Sequence, residues 1–133
     1  FWDNYLWPVV GGTRGTNIYS SKILRIGHSD IDGGIHDAPG PSVYDAGMIA
    51  TDPLFADPQA YDFHLKSLAG RWTPTGFAFD TAKSPCIDAG DPAWDYSHEP
   101  EDNGDRINMG YYGNTVQASK SGRPGGGTFI YWW

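Results

Sequence analysis

The chain has 133 residues, a formal net charge of −7 and an aromatic content of 15%, with 18 glycines and 10 prolines. That length suits one domain with one core. The acidic balance, with nine scattered basic residues, argues against nucleic acid, which needs clustered Lys and Arg. A neutral or cationic partner, or a bound cation, is easier to accommodate. No apolar run reaches the length of a membrane span, so no membrane partner is expected. The Gly and Pro content favours tight turns over long helices.

In chain order, Phe1 to Val10 is apolar and aromatic and is stopped by Pro8, as the end of a strand would be. Gly11 to Thr16 is a glycine-punctuated loop. Ile18-Tyr19 and Lys22 to Ile26 then carry β-branched and apolar residues in short runs, which predicts strands. Leu24, Ile26 and His28 share one parity and predict one buried face, with His28 a packed histidine. Ser29-Asp30 turns the chain, Ile31 points inward, and Gly33-Gly34 ends the segment. Short strands parted by corners, without helical periodicity, suit a β-solenoid coil better than a hairpin sandwich.

Beyond Ile35 the pattern changes. Ala38 to Pro41 is a loop, and Tyr44 to Thr51 is expected to hold a single helical turn. Asp-Pro pairs bracket Leu54-Phe55 and predict turns around a buried apolar pair. Trp72 to Asp80 reads as a hairpin or as irregular chain, and Ser84 to Ala89 as buried. Asp91 to Arg106 is a long acidic loop, Ile107 to Tyr112 returns inward, and Thr115 to Ser121 predicts a short helix. Gly122 to Gly127 reads as a linker, and Thr128 to Trp133 as a strand-like apolar tail needing a partner surface.

Several phrases in this order resemble a known family: Phe1-Trp-Asp-Asn4, His28-Ser-Asp-Ile-Asp-Gly-Gly34, Asp52-Pro-Leu-Phe-Ala-Asp57, Asp62-Phe-His-Leu65, Ser84-Pro-Cys-Ile-Asp-Ala-Gly-Asp91 and Arg106-Ile-Asn-Met-Gly110. Together they resemble the C-terminal end of a secreted bacterial right-handed parallel β-helix protein, of the kind common in environmental and planctomycete-type genomes. The likeness covers Phe1 to about Ser121. Asp102, Asp105 and Tyr111 depart from the pattern, where proline, glycine and alanine are usual. The resemblance implies an extracellular or cell-surface protein, often associated with polysaccharide, with no agreed reaction in this terminal region.

The fold expected is therefore mainly β: a partial right-handed parallel β-helix of one to two coils with an irregular, loop-rich C-terminal cap. Residues 1–34 are assigned to the coils, 35–121 to the cap and 122–133 to linker and tail. Solenoids need about three repeats to bury a continuous core. The remainder of a longer β-helix chain, or a second copy of this one, is thus the expected partner, and the start at Phe1 rather than Met suggests a processed or cut chain.

Candidate chemistry lies in two acidic groups. Asp91, Asp95, Glu99, Asp102, Asn103 and Asp105 supply hard oxygen donors over a short span, as Ca²⁺ prefers. Asp95, Glu99, Asp102 and Asp105 are the metal candidates of that set, with a solvated turn capped by Asx bonds, and Arg106 pairing part of the charge, as the simpler reading. Asp30 and Asp32 could project from one coil edge and serve the acid–base chemistry of a glycoside hydrolase or the metal site of a polysaccharide lyase. Corner capping is their plainer role.

His64 reads as structural, and His36 and His98 as loop residues. No His pair has zinc-ligand spacing, and Gly125-Gly-Gly127 lacks the strand, lysine and helix of a phosphate loop. The single Cys86 forms no internal disulfide and reads as a small buried residue rather than a nucleophile. The functional expectation is a non-catalytic cap or binding module, glycan-associated or self-associating, with a lyase or hydrolase as the alternative. Exposed Trp or Tyr rings would be its glycan contacts.

Overall fold

A computed structural model describes residues 23–31 and 42–122. The coil expected before Ile23, together with Asp32, Gly33-Gly34, His36, the Ala38–Pro41 loop and the Phe129–Trp133 tail, lies outside the described residues. The described chain is mainly β. Six short strands, β1 (Leu24–Ile26), β2 (Ser42–Tyr44), β3 (Phe55–Asp57), β4 (Asp62–Leu65), β5 (Arg71–Thr73) and β6 (Gly76–Ala78), pair two by two. One 3₁₀ turn, Pro58–Ala60, joins β3 to β4. No α-helix occurs among the described residues, and none of their helices is long and apolar enough to cross a membrane.

β1 and β2 run parallel, with Leu24 opposite Ser42, Arg25 opposite Val43 and Ile26 opposite Tyr44. Each pair is separated by 18 positions in sequence, and the pairing does not stop with the strands. His28 N donates to Ala46 O at 3.0 Å, and Asp30 bridges Ile49 in the same parallel sense, now 19 positions on. Ile49 N donates to Ser29 O and Ile31 N to Ile49 O. Two passes of chain thus lie side by side for their whole described length. Ile26 and Ile31 face inward and are buried, while Arg25 faces out and pairs with Asp45 at 3.0 Å.

This arrangement changes two expectations. The Tyr44–Thr51 segment holds no helical turn, because its amides are taken by the neighbouring pass. β2, which the sequence placed in the cap beyond residue 34, pairs with β1 instead. His28 also departs from strand parity. The strand ends at Ile26, and His28 adopts φ 44°, so its side chain is only partly buried.

The second half is irregular and is held by side chains as much as by strands. β3 and β4 form a bulged antiparallel pair, and β5 and β6 a regular hairpin in the Trp72–Asp80 region. Asp57 caps the 3₁₀ turn, and Tyr61 leaves it at φ 60°. Leu65, Cys86, Ile87 and Met109 form the buried centre, with Ile49, Phe55 and Ala89 packed against them. Burying such side chains stabilises by about 1.5–3 kcal/mol each. Ile49 comes from the parallel passes, so the two halves share this core.

Buried hydroxyls tie the loops to it. Ser84 Oγ donates to Pro53 O at 2.6 Å, and Ser119 Oγ to Leu65 O at 2.5 Å. Ser67, fully buried, donates to Lys120 O and accepts from the Ala69 and Gly70 amides. The expected helix at Thr115–Ser121 is absent. Thr115 Oγ1 donates to Tyr112 O and accepts from Gln117 N, a local turn that competes with helix. Lys120 N and Ser121 N then donate to Gly70 O and Asp102 O.

Candidate functional site

The parallel passes and the irregular half meet around a cleft of about 810 Å³. Its size lies within the range of small-ligand sites, roughly 300–1,000 Å³. One wall comes from the corner Gly27–Asp30 with Asp45 and Ala46. Phe55, Leu65, Ile107 and Met109 add apolar lining, and Asp91 and Trp94 line it beside the corner.

Local sequence explains how each wall is held. Gly27 follows β1, and Ser29 Oγ donates back to Gly27 O at 2.9 Å, closing the corner. The imidazole of His28 then lies over Gly47. Asp91 Oδ1 accepts from Ala93 N at 2.9 Å, and Trp94 N donates to Asp91 O at 3.1 Å. This Asx turn lifts the Trp94 ring into solvent, where it is 68% exposed. His28 Nδ1 and Asp91 Oδ2 approach to 3.9 Å, an ion-pair contact beyond hydrogen-bond reach.

Asp30 is in the cleft wall but is structurally engaged. Oδ1 accepts from Thr51 N at 3.2 Å, and Oδ2 from the Cys86 thiol at 3.2 Å. That is the corner-capping role, extended into the core. Asp32, the other carboxylate of the expected pair, lies outside the described residues. Cys86 is buried. Burial, reinforced by the neighbouring Asp30 carboxylate, pushes its thiol up to about 12, so it carries little thiolate at neutral pH.

The acidic loop separates into different roles. Asp95 is exposed; its carboxylate accepts from Ser97 N and Ser97 Oγ, which hold it below the usual range, and from Asn114 Nδ2. Glu99, by contrast, is buried, and its Oε1 accepts from Asn108 N and Asn114 N, both at 2.9 Å. Burial raises its pKa, the two amides oppose that rise, and Asp88 adds to it. Asp102 offers its main-chain oxygen to Ser121 N, and Asp105 N donates to Asn103 Oδ1. Among the described residues no three His, Cys, Asp or Glu side chains group as a metal ion requires. Asp95, Glu99, Asp102 and Asp105 therefore do not form a ready cage. Arg106 does not pair with the loop's carboxylates in the expected way: it donates to Gly90 O at 2.6 Å and Ala89 O at 3.3 Å.

His64 is packed, as its phrase suggested. It is buried between Tyr112, whose ring is 3.7 Å away and nearly parallel, and Trp72, 5.2 Å away. Its Nδ1 lies 2.6 Å from Asp62 Oδ1. Burial pushes the Asp62 carboxyl up, but the hydrogen bonds and charge of His64, with help from Arg71, hold it below the usual range.

Two features of the site are not singled out by sequence: Trp94 as the exposed rim, and Glu99 as a buried tie. Asp91-Pro-Ala-Trp94 carries a signal for the first, since Asp before Pro initiates turns that expose the next residues. Nothing local distinguishes Glu99 from the exposed Glu101.

A family described as disaggregatase related matches residues 37–90, fewer than half of the chain. The matched stretch contains Asp45, Phe55, Leu65 and Cys86 of the cleft and ends just before Asp91 and Trp94. No curated protein and no solved structure matches the chain.

Proposed function

We propose that the chain is the C-terminal end of a right-handed parallel β-helix in a secreted or cell-surface protein, and a non-catalytic, glycan-associated module. The observation that carries this reading is the constant parallel offset of 18 positions between β1 and β2, prolonged at Asp30 and Ile49. A solenoid coil repeats with such an offset, and a hairpin sandwich does not. The irregular half packs on these passes through Ile49, as a cap does when it covers strand edges that would otherwise recruit other chains. The other edge of β1 is then the place for a preceding coil or for a second copy.

The glycan part of the reading rests on the cleft with its exposed Trp94 rim, a flat ring suited to the apolar face of a sugar. The matched family's description, disaggregatase related, is in keeping with a module working at aggregated surfaces. A lyase or hydrolase built on Asp30 is disfavoured, since both its oxygens already accept hydrogen bonds. The reading requires no cofactor.

Two measurements test it. Sedimentation of this chain, alone and extended by further coils before Phe1, should show association that the added coils abolish; a strictly monomeric short chain counts against the open coil. A glycan array probed with the native protein and with Trp94→Ala should show binding that the substitution weakens about tenfold. An empty array sinks the glycan reading.

A further inference from the structure

The chemistry of the cleft walls restricts which sugar the site accepts. Three carboxylates from three separate segments, Asp30, Asp45 and Asp91, line it, and among the described residues the lining contains no lysine or arginine. His28 is the one basic side chain of that lining. Asp45 is paired with Arg25, and Asp30 with the Cys86 thiol and Thr51 amide. Asp91 is held less closely, by a long ion-pair contact with His28. Its Oδ1 closes the Asx turn, while Oδ2 faces His28 at 3.9 Å, a gap too long for a hydrogen bond. Trp94 stands three residues further along the same turn with its ring exposed.

A ligand filling this space meets a lining that includes the Trp94 ring, the Asp91 carboxylate and the apolar Phe55, Leu65, Ile107 and Met109. A uronic acid would bring its own negative charge against three carboxylates in a protein already at −7. A neutral pyranose fits the ring and offers Asp91 only neutral hydroxyl hydrogen bonds. A sugar carrying a free ammonium satisfies both, because charge-assisted N–H···O⁻ bonds are stronger than neutral ones and cations are also drawn to indole faces.

We infer that the cleft binds an amino sugar with an unacetylated amine, its ammonium on Asp91 Oδ2 and its apolar ring face against Trp94. This rests on the glycan-associated reading and sharpens it to one charge class. Acetylating the amine removes the charge and with it the reason for Asp91.

Titration calorimetry with glucosamine oligomers, N-acetylglucosamine oligomers and polygalacturonate tests it, at low and high salt. Glucosamine oligomers should bind about tenfold more tightly than their acetylated counterparts, about 1.4 kcal/mol, and the advantage should shrink with salt. Asp91→Asn, which keeps the oxygen accepting from Ala93 N, should erase that advantage while leaving the fold intact by circular dichroism. Trp94→Ala should weaken both neutral and cationic oligomers. If acetylated oligomers bind equally well, or Asp91→Asn changes nothing, the amino-sugar inference is wrong and the glycan reading stands. If no sugar of any charge binds, both fall.

Discussion

The imidazole of His28 occupies the space above Gly47: a Cβ built on Gly47 would lie 2.2 Å from His28 Cδ2. The two residues sit on adjacent parallel passes, so this contact fixes how closely the passes approach at the corner. Gly47 is also at φ 77°, a conformation that costs L-residues about 1–2 kcal/mol.

Gly47→Ala should accordingly destabilise by about 1–3 kcal/mol, from backbone strain and the displaced ring. In Gly47→Ala/His28→Ala the clash is relieved but the backbone cost is retained. Urea unfolding of both variants and of His28→Ala gives the coupling energy. A coupling near zero would mean that His28 does not pack on Gly47 in solution.

Glu99 gives the clearest pH dependence. Its folded pKa is raised by burial above the ordinary carboxylate value, so the folded state holds its proton more tightly than the unfolded chain. Its contribution is therefore fully present below the unfolded pKa and declines as pH rises through the folded one. Glu99→Gln keeps an oxygen for Asn108 N and Asn114 N without the charge. Its melting temperature should gain on that of the native protein as pH rises from about 4 to about 7. Glu99→Ala leaves two amides without their acceptor and should cost about 2–4 kcal/mol at low pH, and less as pH rises through the folded pKa of Glu99. Parallel pH profiles for the native protein and Glu99→Gln would contradict this account.

How far these relationships can be read from sequence depends on the distance over which they act. The short run at Leu24–Ile26, the inward Ile31 and the buried Ser84–Ala89 phrase are legible, because alternation and turn chemistry are local. Trp72–Asp80 is open between hairpin and irregular chain in the sequence, and the pairing of β5 with β6 decides it. The offset between β1 and β2 is not, since it joins residues 18 positions apart through a corner with no pairing signal. Thr115–Ser121 misleads because its composition tolerates a helix, and only the Thr115 hydroxyl turn decides against it. In the acidic loop, counting carboxylates suggests a cation site. What separates Glu99 from Asp95 is burial against the Asn108 and Asn114 amides, which come from a segment beyond the loop.

Ser67 tests whether the irregular half is held by hydroxyls as well as apolar packing. It is fully buried, donates to Lys120 O at 2.5 Å and accepts from Ala69 N and Gly70 N at 3.0 and 3.1 Å. Ser67→Ala creates little cavity but leaves three polar groups unsatisfied. At about 1–3 kcal/mol for a buried unsatisfied group, and with relaxation sharing the loss, about 2–4 kcal/mol is expected. Thermal unfolding should register it as a fall of several degrees. A change under about 0.5 kcal/mol would place water, rather than Ser67, at these groups.

Cys86 reports on the junction between the two halves, because its thiol donates to Asp30 from across the core. With the thiol pushed up to about 12 and the side chain 3% exposed, neither thiolate nor access is available to an alkylating reagent. Native protein at about pH 8 should react with iodoacetamide at least about a hundredfold more slowly than protein in denaturant, because reaction requires the thiolate. Asp30→Asn removes the carboxylate that opposes thiolate formation, so it also separates two causes of protection. If burial dominates, the variant remains unreactive while losing some stability, since its amide still presents one oxygen toward Thr51 N or the thiol. If Asp30→Asn becomes reactive without unfolding, the carboxylate rather than packing was guarding Cys86. Rapid alkylation of the native chain would show that the passes containing Asp30 do not stay docked on the irregular half.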